Sequence, residues 1–550
     1  MAEKTKRILI VGGVAGGASV AARARRLCES CDIIVFDRGP YVSFANCGLP
    51  YYVGDVIVDE SKLLIASPEL FQSRFRIDVR VRNEVLSIDK DNQTVQVKDL
   101  ETGEIYSESY DSLVLSPGAR AIRPPFPGID LPGVFALRTI PDSRKIRAWL
   151  DKKKATRAVV IGGGFIGIEM AENLRHRGLD VTVVELQKQV LPFVDAEMAF
   201  FVEEHLKDNG IQLHLDDGVK AFHSREEDGL IVETQSGTHL EADLVIMAIG
   251  VRPETTLAKD AGLELGALGG IKVDDTMQTS DPNIWAVGDV IEVSNVLTQA
   301  KHLMPLAGPA NRQGRIAADA IMGRKKAFRG VQGTAVCGVF GLTVAATGCN
   351  EAMLSKQDKV KYQTVYLHPG HHVGYYPGAK SIHIKLLFRS DTGEILGAQA
   401  IGEEGAERRI DVIAMAIQMK ATVFDLEESE LCYAPQFGAA KDPVNIAGMI
   451  AANHLRGDLP LAHWNSKEEA DVFLLDVRDA SEFSQGHLPG AVNIPLNTLR
   501  DRLDEIPQDK DIWVYCKVGQ RAYYAVRALL QYGQKASCLS GGLTTLQGMA

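Results

Sequence analysis

Cysteine is scarce in this chain. There are eight in 550 residues: Cys28, Cys31, Cys47, Cys337, Cys349, Cys432, Cys516 and Cys538. That density excludes a disulfide-stapled scaffold. Cys28 and Cys31 form a C-x-x-C, but no second pair follows at zinc-site spacing, so no metal centre is expected. The pair falls late in a predicted helix, where three residues make one turn, and reads as structural. Positive charge is also short. The formal net charge is −11 with no basic domain or tail, which argues against a nucleic-acid partner. No stretch reaches the roughly 18 apolar residues of a membrane helix. The apolar run after the opening Met-Ala-Glu-Lys-Thr-Lys-Arg is too short for a signal peptide, so a cytoplasmic location without a membrane partner is expected. What remains is 45% hydrophobic and 24% charged, an ordinary globular composition. The length suggests roughly three to five domains.

Ile8-Leu9-Ile10-Val11 reads as a buried parallel strand. The turn Gly12-Gly13-Val14-Ala15-Gly16-Gly17, an Ala-rich helix through Leu27 and the strand Ile33–Phe36 ending in Asp37 follow. Glycines there let the backbone approach a pyrophosphate at a helix N-terminus, and the acid can accept ribose hydroxyls. Val14 stands where the middle glycine of G-x-G-x-x-G would be. Residues 158–185 repeat the plan with a complete motif, Gly162-Gly163-Gly164-Phe165-Ile166-Gly167, a helix from Ile168 and a strand ending in Glu185. Glu185 would bond a free ribose diol and repel a 2′-phosphate, which predicts NADH over NADPH. Leu244–Gly250 is another buried strand with a glycine turn. Ile284–Gly288 then delivers Asp289, which could accept hydrogen bonds from a sugar-alcohol chain.

Two cysteines carry candidate chemistry. Cys47 lies in the turn-rich stretch Ser43-Phe44-Ala45-Asn46-Cys47-Gly48-Leu49-Pro50-Tyr51. Ser43 and Asn46 could orient a substrate or stabilise a thiolate, and a thiolate gains from nearby positive charge or a helix N-terminus. No internal dithiol is possible at the usual spacing, since position 52 is Tyr52. Cys47 must form a mixed disulfide with another molecule, a persulfide or a sulfenic acid. Cys516 follows the strand Trp513-Val514-Tyr515 and opens the loop Cys516-Lys517-Val518-Gly519-Gln520-Arg521 before a helix through Leu530. Successive amides in such a loop make an anion cradle. Lys517 and Arg521 add positive charge, and Arg521 is a candidate substrate contact. Asp476, Arg478 and His487 read as structural ties around the loop.

Residues 1–450 resemble the FAD- and NAD(P)-dependent disulfide reductase superfamily. The Ser43–Tyr51 stretch is similar to its single-cysteine branch, the coenzyme A disulfide reductases and their relatives. The final ~88 residues resemble the rhodanese family, with Asp-x-Arg, Glu482, Gly-His-x-x-Gly-Ala and a six-residue loop. The resemblance implies an α/β chain of two Rossmann-like FAD and NAD units, an α+β dimerisation domain and a small α/β rhodanese domain. The boundaries expected are 1–115 with 246–330 for FAD, 116–245 for NAD, 331–452 for dimerisation, 453–465 for a linker and 466–550 for rhodanese. It implies FAD held by Gly12, Gly17, Asp37 and Asp289, and NADH held by Gly162, Gly164, Gly167 and Glu185. It makes Cys47 the redox nucleophile, and makes Tyr433 and Tyr375 (or Tyr376) contributions from the partner subunit of a homodimer. Coenzyme A would contact Ser19, Arg23, Arg26, Ser43, Asn46, Asn311 and Lys441, and Cys516 would carry a persulfide. The implied activity is NADH-dependent reduction of coenzyme A persulfide, polysulfide or coenzyme A disulfide. An NADH oxidase or peroxidase cycling Cys47 through sulfenic acid is the alternative. The superfamily's two-cysteine motif and C-terminal catalytic His are absent, which argues against glutathione- or lipoamide-type chemistry.

Overall fold

The computed structural model describes residues 5–225, 229–357, 360–464 and 471–549. Residues 1–4, residue 465 of the expected linker, and 466–470 and 550 of the expected last domain lie outside the described residues. The chain divides into two compact units. One comprises Met1–Leu186 and Asp217–Val331, the other Gln187–Asp216 and Gln332–Ala550. No helix among the described residues is long and apolar enough to cross a membrane.

Parallel strands carry the first unit. In chain order they are β1 (Arg7–Val11), β2 (Asp32–Asp37), β3 (Asp78–Val81), β4 (Ser112–Leu115), β5 (Val134–Ala136), β6 (Arg157–Ile161), β7 (Asp180–Val184), β8 (Leu244–Met247) and β9 (Ile284–Ala286). They pair in the orders β9-β4-β1-β2-β3 and β7-β6-β8-β5. Unbroken apolar runs such as Ile8-Leu9-Ile10 suit a parallel sheet covered on both faces, and all three side chains are buried. Helices α1 (Ala15–Leu27), α2 (Phe165–His176) and α3 (Ala307–Ile321) complete the frame. α1 and α3 approach closely: a Cβ on Gly314 would lie 2.6 Å from the Gly16 carbonyl oxygen. α2 starts at Phe165, a turn earlier than the sequence suggests, because Gly164 already serves as its N-cap.

One expectation for α1 is corrected. The helix stops at Leu27, and Cys28 follows in extended conformation. Cys28 and Cys31 are joined by a disulfide across the turn into β2, so the pair lies outside the helix.

In the second unit, β10 (Ala335–Val339), β11 (Leu342–Gly348), β12 (Tyr362–Leu367), β13 (Ile382–Arg389) and β14 (Ile395–Gly402) form an antiparallel sheet in the order β10-β11-β14-β13-β12. Helices α4 (Ala406–Gln418) and α5 (Pro443–Leu455) follow. Then come β15 (Leu461–Ala462), β16 (Val472–Asp476), β17 (Val492–Asn493), β18 (Asp511–Tyr515), α6 (Gln520–Gln531), β19 (Ala536–Leu539) and α7 (Gly542–Gln547). Their strands form a parallel sheet in the order β15-β19-β18-β16-β17.

The expected linker at 453–465 is also corrected. Leu461 pairs with Cys538, the Pro460 carbonyl accepts the Cys538 N–H, and buried Trp464 donates its indole N–H to the Ser540 carbonyl. Within this stretch α5 runs on to Leu455, and Leu461–Ala462 is an edge strand of the last sheet rather than a free tether.

Candidate functional site

Loops leaving β1, β4 and β9 meet the start of α1 around a cavity of about 1110 Å³ in the first unit. Gly12 has φ +93°, and a Cβ there would lie 2.1 Å from the Ser116 carbonyl oxygen. Gly17 lets α1 pack on that turn, since its Cβ would be 1.9 Å from the Gly12 oxygen. α1 has no side-chain N-cap and no acid in its first turn, so its amide N–H groups are left for an anion. Asp37 lines the cavity and accepts the Gly13 N–H at 3.0 Å and the Gly39 N–H at 2.8 Å. Burial raises its pKa against the pull of those amides.

The second turn has the same construction. Gly162 has φ +106°, a Cβ on Gly167 would lie 1.8 Å from the Gly162 oxygen, and the space over Gly164 is open. α2 likewise has no side-chain cap. Glu185 accepts the Gly163 N–H at 2.6 Å. Both turns fit a dinucleotide.

Cys47 sits in the 3-10 turn Asn46–Gly48, just ahead of the short helix Leu49–Val53 and on the wall of the cavity. The residue is exposed, yet the cavity walls still desolvate its sulfur. That desolvation pushes the thiol pKa up, the Glu169 carboxylate adds to it and Asp289 does so more weakly, while Arg138 opposes. The protein framework alone therefore disfavours the thiolate. Glu169, on α2, accepts the Tyr51 hydroxyl at 3.2 Å, and burial lifts its own pKa to about 7. Asp289 lines the cavity and accepts Arg138 Nη2 at 3.0 Å. Glu169 and Arg138 were not legible in the sequence, because neither stands in a motif.

Ser43 also lines the cavity, in the left-handed region with φ +47°. Its N–H donates to the Gly13 carbonyl, and its carbonyl accepts from Ile65 and Ala66. Asn46 Oδ1 is buried without a hydrogen-bond partner among the described residues. Ser19 and Asn311 line the cavity too and hydrogen-bond each other directly.

The arginines of α1 separate into different roles. Arg23 donates twice to Asp319 Oδ1, at 3.0 and 2.7 Å, so its guanidinium ties α1 to α3 while the residue still lines the cavity. Arg25 is buried on the carbonyls of Phe75, Arg76, Cys28 and Glu29. Arg26 stays exposed on the cavity. Arg315, one turn beyond Asn311 on α3, lines it too and was not anticipated.

In the second unit the two candidate tyrosines meet: Tyr375 and Tyr433 are exposed by 74% and 46%, with hydroxyls 2.9 Å apart. Tyr376 instead sets its ring edge against His372. Lys441 is exposed just before Asp442, the N-cap of α5.

Cys516, at the end of β18, is only 1% exposed. The Gly519 N–H points at its sulfur from 3.2 Å, with Gly519 at φ +90°. Lys517 is exposed beside it. Arg521 is not a free cation: it grips Glu482 in a bidentate pair at 2.6 and 2.7 Å. The same pair holds the Glu482 pKa down to about 2. Asp476 and Arg478 form a buried pair, and Arg478 Nη2 reaches the Gly486 carbonyl at 2.7 Å, so both act as ties. His487 stacks on Phe483 and bonds its carbonyl, which places it outside the loop.

Residues 6–314 match the pyridine nucleotide-disulphide oxidoreductase family model, 334–442 its dimerisation domain, and 460–548 the rhodanese-like domain. The chain is 36% identical over 446 residues to a coenzyme A disulfide reductase of Staphylococcus epidermidis, covering 81% of this chain and 99% of that one. Among solved structures it is similar to the reduced Bacillus anthracis CoADR-RHD, with TM-score 0.97, 48% identity, and 99% and 98% of the two chains covered. It is also similar to a NAD-dependent persulfide reductase from A. fulgidus, with TM-score 0.92, 36% identity, and 98% and 99% covered. The chain belongs to the pyridine nucleotide-disulphide oxidoreductase family.

Proposed function

We propose that this protein is an FAD-dependent reductase that uses NADH to reduce coenzyme A persulfide, polysulfide or coenzyme A disulfide at Cys47, with Cys516 handling sulfane sulfur. The observation that carries this is Cys47 itself, an exposed free thiol and the one cysteine on the cavity beneath the first glycine turn. Segments 1–115 and 246–330 are assigned to FAD, and 116–245 to NADH. FAD on Gly12, Gly17, Asp37 and Asp289, with NADH on Gly162, Gly164, Gly167 and Glu185, would supply the electron pair that returns a Cys47 adduct to the thiolate.

Cys47 Sγ attacks the sulfur–sulfur bond. One S–S bond forms to Cys47 and one breaks, so a coenzyme A persulfide expels either the coenzyme A thiolate or hydrosulfide. Glu169, with its pKa near 7, can hold a proton close to this chemistry at neutral pH. Asn46, with its unpaired Oδ1, and Ser43 orient the substrate, while Arg26, Ser19 and Asn311 meet the coenzyme. Lys441 contacts the coenzyme as well. The dimerisation domain points to a homodimer, in which Tyr375 and Tyr433 are supplied to the second subunit's active site.

The test is anaerobic NADH oxidation with coenzyme A persulfide, with sulfide release followed, for the wild type, Cys47→Ser and Cys516→Ser. Cys47→Ser should lose at least about 10³-fold, the scale of a lost nucleophile. Cys516→Ser should alter only the handling of sulfane-sulfur donors. Full persulfide turnover by Cys47→Ser would reject the assignment.

A further inference from the structure

Helix α7 grips the Cys516 loop from below. Leu543 N–H donates to the Cys516 carbonyl at 2.9 Å, and Thr544 donates to the Lys517 carbonyl from N–H and hydroxyl, both at 3.0 Å. The fit is tight, for a Cβ on Gly542 would lie 2.4 Å from the Cys516 carbonyl oxygen. In a trans peptide the C=O and N–H point opposite ways. Holding those two carbonyls against α7 therefore turns the N–H groups of Lys517 and Val518 away from it. The loop's amide orientation, which an anionic sulfur needs, depends on α7 staying in place.

The other side of α7 is held by a different sheet. Thr545 Oγ1 lies 2.8 Å from His368 Nε2, and His368 Nδ1 lies 2.8 Å from His383 Nδ1. His383, on β13, stacks on Phe201 at 3.9 Å, and His368 follows β12 directly. Tyr366 N–H donates to Ser540 Oγ at 3.2 Å, and a Cβ on Gly541 would come within 2.7 Å of the Tyr366 Cβ. Burial keeps both histidines neutral, with pKa values lowered to about 3 for His368 and about 4 for His383. A neutral pair shares one proton between the two Nδ1 atoms and leaves His368 Nε2 free to donate to, or accept from, the threonine hydroxyl. Residues 540–545 thus run from the antiparallel sheet of the dimerisation domain to the backbone of the Cys516 loop.

We propose that His368, braced by His383, is a positioning residue for sulfur transfer at Cys516: through Thr545 it fixes α7, and α7 fixes the amide cradle. The role in transfer rests on the reading of Cys516 as a sulfur carrier; the positioning itself does not.

The test uses the full-length holoenzyme carrying His368→Leu, Thr545→Val or Thr545→Ser. Three quantities are read: thiosulfate-to-cyanide sulfur transfer, iodoacetamide alkylation of Cys516 followed on its peptide by mass spectrometry, and NADH oxidation with coenzyme A disulfide. His368→Leu and Thr545→Val should lower kcat for transfer and the Cys516 alkylation rate about tenfold, the worth of one lost hydrogen bond. The KM for thiosulfate and the coenzyme A disulfide reaction should stay unchanged, and Thr545→Ser should restore both losses. Wild-type transfer and alkylation in folded His368→Leu and Thr545→Val would overturn the proposal. So would a loss that Thr545→Ser fails to restore. A wild type that transfers no sulfur would defeat the reading of Cys516, and the alkylation rates would still decide whether His368 positions its loop.

Discussion

At Cys47, desolvation by the cavity walls opposes ionisation first, and a carboxylate adds to it. The Glu169 side chain sits on the helix after the second glycine turn and works against the thiolate, while Arg138 supports it. Glu169→Gln removes one opposing charge and leaves the Tyr51 contact feasible, so the thiol pKa must fall. The pH profile of Cys47 alkylation in the cofactor-free protein should move to lower pH in this variant. An unmoved profile, or one moved upward, would contradict the electrostatic account. Residues whose job is set by their own turn were legible in the sequence: Gly12, Gly17, Gly162 and Gly167 are dictated by backbone oxygens a few positions away or on the next strand. Residues whose job is set by a distant partner were not. Arg23 is tied to Asp319, 296 positions on, a pairing that inspection of the sequence does not reveal. The pairing of Arg521 was hidden for the same reason, its partner Glu482 lying on a separate helix.

At the level of elements, the antiparallel sheet hides a charge the sequence did not mark. Lys385 on β13 is 0% exposed and bonds Asp195 at 2.7 Å, Glu351 at 2.9 Å and Glu197. Tyr366 and Gln399 donate to the same Glu197 and Asp195 oxygens that the lysine meets. These three carboxylates stand close enough to hold a metal ion, but here the ammonium already lies among them. Burial alone would neutralise the lysine; the carboxylates and Tyr366 instead hold its pKa well above the usual value. Lys385→Met leaves three acids facing one another without a cation. It should cost about 3–5 kcal/mol, the usual penalty for breaking a buried pair, read as a lower denaturant midpoint. A midpoint equal to wild type would show that the cluster is not holding the helix Ala196–Asp208 to the sheet. The stretch Ser381–Phe388 was readable as a strand from its alternation, yet its buried lysine was invisible because the acids come from residues 195–197 and 351. The linker reading failed in a related way. Gly457 and Pro460 look like a boundary, but the short apolar run behind them finds an open edge beside β19.

For the whole molecule, the sequence was most informative where it repeats itself. Two strand–glycine turn–helix–strand–acid units, each with its own acid, left few alternatives for residues 7–37 and 157–185. The six-residue loop after β18 did the same for the last domain. What the repeats do not determine is the electron acceptor, since a single cysteine on such a cavity suits a persulfide, a disulfide or a peroxide equally. The decisive measurement is the steady-state rate of NADH oxidation by the purified holoenzyme with each acceptor in turn. Coenzyme A persulfide, coenzyme A disulfide and polysulfide would be assayed without oxygen, and hydrogen peroxide and oxygen separately. A sulfur acceptor, with coenzyme A persulfide releasing sulfide, should exceed peroxide and oxygen in kcat/KM by at least about 10²-fold, the scale of discrimination that substrate contacts supply. Faster turnover with peroxide or oxygen than with every sulfur acceptor would contradict it and make Cys47 a sulfenic-acid centre.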